Sequence, residues 1–133
     1  MTLPATSLLR RALVIDALVS GATGLLLVIA GGWLASVLDV PEPLLRYSGI
    51  VLLPFAIIVA LVARRDAVAR AHVVAIIVVN IAWVAGSAWL VLGDRIQPNA
   101  LGYAFIVMQA IAVAAFAEFQ YVALRRAAAR HHA

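Results

Sequence analysis

Four uncharged windows, at positions 17–38, 47–63, 71–93 and 96–117, take up most of the chain. A helix needs about 20 apolar residues to cross a bilayer. In hydrocarbon only helices and closed barrels satisfy every backbone N–H and C=O. The four windows meet or approach that helical length. They predict an all-α fold: a polytopic four-helix transmembrane bundle, one domain over residues 1–133, with spans near 8–38, 44–63, 71–93 and 97–124. The first and last spans extend past their uncharged windows, so each takes in a carboxylate, Asp16 and Glu118. Composition agrees. At 66% hydrophobic and 12% charged residues, a soluble domain of this size cannot hide its apolar surface.

The connections are short. "DVPEPLLR" carries Pro41 and Pro43, which end the first helix and start the second. "RRDAVAR" joins the second to the third. "GDRIQPN" joins the third to the fourth, with Gly93 as a C-cap and Pro98 near the next helix start. Arginine placement then orients the bundle. Arg10, Arg11, Arg64, Arg65, Arg70, Arg125, Arg126 and Arg130 lie at one end, Arg46 and Arg95 at the other. Loops rich in Arg stay cytoplasmic, so both termini are expected there, in a bacterial inner membrane. Trp33, Tyr47, Trp89 and Tyr103 fall at the outer interface, and Phe119 and Tyr121 at the inner one, as aromatic belts. A cleaved signal is disfavoured, because Asp16 interrupts the apolar run and the run continues far beyond it. "LRYSGIV" (45–51) and "LGYAFIV" (101–107) align, each helix they open ends in an Arg pair, and Asp16 aligns with Asn80. The chain thus reads as two hairpins in a parallel internal repeat, against chance similarity among apolar helices.

Polar groups inside the spans mark buried faces, because they are costly in lipid. Asp16, Ser20 and Thr23 form one stripe on the first helix, and Ser20–Gly24 is a small-xxx-small pair permitting close approach. Asn80, Trp83 and Ser87 form a stripe on the third, with Ala82–Gly86 alongside. On the fourth, Gln109 and Gln120 share a face nearly opposite Glu118, so one side is expected to face the interior and the other a neighbour. At 1.5 Å per residue, Asp16 lies about 7–8 Å inside the Arg11 level and Glu118 about 10 Å inside Arg125. Asn80 lies about 15 Å in from Arg70. The intramembrane candidates are therefore Asp16, Ser20, Asn80, Gln109 and Glu118. Two roles compete for the acids. They are counter-ions to Arg10, Arg11, Arg64 or Arg125, whose long side chains can snorkel, or they face each other and share one proton.

Other chemistry is sparse. Cysteine is absent, which removes disulfides and thiolate sites. His72 is the one histidine in a span, so a bis-histidine haem lacks its second ligand; His131 and His132 in the basic tail make a weak metal signal. Phosphate loops, nucleophile–base pairs and metal-ligand spacings are missing. The arginines punctuate apolar runs and do not form the basic face of a nucleic-acid binder.

The segments "DALVSGATGLLL", "LLPFA", "NIAW" and "FAEFQYVALRR" resemble small four-helix bacterial integral membrane proteins with no assigned activity. That resemblance covers most of the chain and implies a bacterial inner-membrane protein. The small multidrug transporters differ, with a glutamate in the first helix where Asp16 stands here. The expectation is a non-enzymatic structural or accessory subunit of a membrane assembly. It needs no cofactor and has as partners the lipid bilayer and a second copy or another membrane protein. The alternatives are a proton-linked transporter or channel acting as a homo-oligomer, and a binder of lipid, quinone or haem.

Overall fold

The computed structural model describes residues 1–132. It consists of β1 (Thr2–Pro4), α1 (Ser7–Leu38), α2 (Glu42–Ala63), β2 (Ala67–Ala69), α3 (Arg70–Leu92) and α4 (Ala100–His132). All four helices are long and apolar enough to cross a membrane, and large apolar side chains such as Leu18, Ile29, Ile57 and Met108 cover the outside of the bundle. The fold is the all-α four-helix bundle the windows predict. Two hairpins, α1–α2 and α3–α4, are joined along α1 and α4, whereas α2 and α3 barely touch.

Local chemistry sets the helix ends. Thr6 caps α1, its Oγ1 accepting from the Leu9 N–H at 3.2 Å. Asp39 ends α1 in the left-handed region, φ 51°, where Asp is one of the few tolerated residues. Pro41 then caps α2, with Pro43 in its first turn. Asn99 starts α4: its Oδ1 accepts from Gly102 N–H at 2.8 Å, and its Nδ2 donates to Val37 O at 2.7 Å. That double bond ties the start of α4 to the end of α1. It also moves the α4 start from 97 to Ala100, and the helix continues to His132, past the expected end at 124.

Close approach is unequal between the hairpins. A Cβ on Gly49 would meet the Gly24 carbonyl oxygen at 2.8 Å, and one on Gly24 would meet Leu53 at 3.1 Å. These glycines let α1 and α2 pack backbone to backbone, as the Ser20–Gly24 pair predicts. Gly86 is different: a Cβ there meets nothing within 4 Å. The Ala82–Gly86 edge, expected to pack, borders open space between α2 and α3.

One element was not expected. β1 pairs antiparallel with β2, Leu3 opposite Val68, inside the predicted "RRDAVAR" connection. Leu3 and Val68 are both buried and seal the arginine-rich end of the core against Leu9, Val73 and Leu124. A second apolar cluster, including Leu27, Leu45 and Ile106, fills the aromatic end.

Candidate functional site

The buried positions of α1 include Leu9, Ala12, Leu13, Asp16, Ser20, Gly24 and Leu27, an i, i+3/i+4 stripe. Asp16 sits on that stripe, so the packing that buries the leucines also buries the acid. It is fully enclosed, as is Gln120, while Ser20 and Asn80 are nearly so. Around its carboxylate stand three donors, all neutral. Ser20 Oγ donates to Asp16 Oδ1 at 2.9 Å. Asn80 Nδ2 and Gln120 Nε2 donate to Oδ2 at 2.9 Å and 2.7 Å. The second Asn80 N–H goes to Gln120 Oε1 at 3.1 Å. One carboxylate thus bonds α1, α3 and α4 together. Among the described residues, no buried side-chain polar atom lacks a partner.

This arrangement corrects both expected roles for Asp16. No arginine reaches it among the described residues. Arg10 is committed elsewhere: its Nε donates to Ala63 O and its Nη2 to Arg65 O, both at 3.0 Å, with Asp66 at 3.6 Å. It caps the carbonyl end of α2, where a cation is favoured. Arg11 and Arg64 are exposed, and Arg125 lies over the Tyr121 ring at 5.8 Å. Nor does Glu118 face Asp16. Two residues along a helix is a turn of about 200°, so with Gln120 buried against Asp16, Glu118 points out of the bundle and is exposed. It borders a groove between α3 and α4 lined by Ile77, Ile81, Val84, Ala114 and Tyr121.

Of the two polar faces of α4, the one that carries Gln109 and Gln120 is turned inward. Trp83 Nε1 donates to Gln109 Oε1 at 2.7 Å, and Gln109 Nε2 donates to Ser87 Oγ at 2.9 Å and Ile106 O at 2.8 Å. Ser87 in turn donates to Trp83 O at 2.8 Å. This second network clips α3 to α4 about 16 Å along α4 from Gln120, and about 5–10 Å along α3 from Asn80. Thr23, the third member of the α1 stripe, lies at a small cavity beside Gln109 and Trp83.

Gln120 is the residue that sequence reasoning left out of the site. Its signal was present: Ala117, Gln120, Leu124 and Ala127 are all buried and fall at i, i+3, i+7 and i+10, a core stripe that excludes Glu118. The metal signal of His131 and His132 lies outside the described side chains. Chemically, the Asp16 layer can hold helices in register, with both carboxylate oxygens already engaged by side chains of the bundle itself. Comparison with protein-family models, curated proteins and solved structures finds no match to this chain.

Proposed function

We propose that this chain is a non-enzymatic accessory or structural subunit of a membrane assembly, set in a bacterial inner membrane with both termini cytoplasmic. The observation that carries the reading is Glu118. It is exposed on the α3–α4 face and has no cation within 4 Å among the described residues. A carboxylate facing lipid is expensive, and a polar or cationic group on an adjoining protein removes that cost. Small residues beside it, Ala114 and Ala117, permit a close helix approach. The Asp16 layer supports the same reading, since both carboxylate oxygens are engaged in holding the bundle together.

The proton-linked transporter reading draws on a shared proton between Asp16 and Glu118. The two acids lie on opposite sides of α4, so the geometry offers that reading no specific support. Native mass measurement in mild detergent tests the proposal. The expected species exceeds the 14.1 kDa protomer, and Glu118→Leu reduces it to the protomer. A wild-type protein that is monomeric under the mildest conditions, and that co-purifies with nothing, overturns it.

A further inference from the structure

The gap between α2 and α3 has chemistry of its own. At the arginine-rich end it forms a groove of about 360 Å³ walled by Phe55, Ile58, Val62, Ile76 and Val79. Arg65 and His72 line its mouth, both exposed, and Arg65 has no acidic partner among the described residues. Arg64 and Arg70 flank the same mouth in sequence and are likewise exposed. The Arg65 backbone is held in place, because its carbonyl accepts from Arg10 Nη2. The guanidinium is thus a free cation on an anchored stem.

We propose that this groove binds one anionic phospholipid from the leaflet at the arginine-rich end. The phosphate sits between Arg65 and His72, and one acyl chain lies along Val62, Ile76 and Val79. Three observations converge on a lipid. The groove is charged at one end only, by Arg65 just beyond the end of α2 and His72 in the first turn of α3. From Arg65 to Phe55 along α2 is about 15 Å, the half-thickness of a hydrocarbon core about 30 Å deep. The walls between are apolar throughout. Basic pockets between helices on a membrane's Arg-rich side are suited to anionic headgroups, and Arg pairs with phosphate through two parallel N–H donors. The proposal does not depend on the subunit reading, which rests on the α3–α4 face.

The test uses full-length protein, delipidated in mild detergent and titrated with phosphatidylglycerol, phosphatidylcholine or glycerol phosphate, with thermal unfolding and native mass as readouts. Phosphatidylglycerol is expected to add as a single bound molecule and to raise the melting temperature. Phosphatidylcholine should bind at least about fivefold more weakly, the factor for roughly 1 kcal/mol per basic side chain at a membrane surface. Arg65→Gln should weaken phosphatidylglycerol by a similar factor and leave phosphatidylcholine unchanged. Ala75→Phe, which fills the groove, should weaken both lipids. Glycerol phosphate alone should do nothing. Equal binding of the two lipids, or an Arg65→Gln protein with unaltered preference, overturns the headgroup assignment. An Ala75→Phe protein that folds and binds normally overturns the groove. Because the chain has no cysteine, Ala75→Cys is a unique label. Efficient disulfide formation between two copies through that position would assign the groove to a second chain and overturn the lipid.

Discussion

Replacing Asp16 separates an acid held by neutral donors from an ion pair. Asp16→Ala removes the acceptor for Ser20, Asn80 and Gln120. Side-chain hydrogen bonds in membrane bundles average about 0.6 kcal/mol and reach about 1.7. Losing three therefore costs about 2 kcal/mol, and up to about 5 if all are at the upper limit, before any cavity term. Asp16→Asn keeps the shape. Its single amide oxygen can face the Asn80 and Gln120 donors, and its NH₂ can face Ser20 Oγ. The serine hydroxyl then accepts and turns its own proton to the carbonyl one turn back. No bond is lost and no arginine is stranded, and only the second amide N–H goes unpaired, so Asp16→Asn should cost about 1 kcal/mol, less than Asp16→Ala. Equilibrium unfolding in mixed micelles measures both variants. If Asp16→Asn costs as much as Asp16→Ala, the amide cannot replace the acid among these donors and the reasoning fails.

Other outcomes follow from single contacts. Gly49→Ala places a methyl 2.8 Å from the Gly24 carbonyl oxygen and should destabilise by about 1–3 kcal/mol. Gly86→Ala, with open space around it, should be neutral in the same unfolding assay. Asn99→Ala loses both the α4 cap and the tie to Val37; a loss of about 1–2 kcal/mol is expected, with faster amide exchange at 100–103. Reporter fusions after Pro43 and Gly93 should read as periplasmic, and one after Arg65 as cytoplasmic; the reverse pattern would refute the arginine-based orientation.

The spans were legible because hydropathy along the chain needs no knowledge of neighbours. The Ser20–Gly24 approach and the Asp16–Ser20 stripe were legible because spacing on one helix sets them. The partners of Asp16 depend on how α3 and α4 are rotated against α1, and that rotation is collective. It follows the full stripe of Ala117, Gln120, Leu124 and Ala127, whereas attention to charge alone selects Glu118. The β1–β2 pair was hidden for another reason. Each strand is three residues long, and the two are separated in sequence by the whole α1–α2 hairpin. The Asn99 cap was obscured by Pro98, a stronger local helix-start signal, although the side chain at 99 is the one that accepts from the α4 backbone.

The subunit reading is tested most directly by a photo-crosslinking side chain placed at position 118 in native membranes. Position 18 serves as control: Leu18 is 67% exposed on α1 at a similar depth. The account predicts that position 118 yields a discrete protein adduct, either a second copy or one defined partner, and that position 18 yields only lipid adducts. Lipid adducts alone at both positions would contradict it.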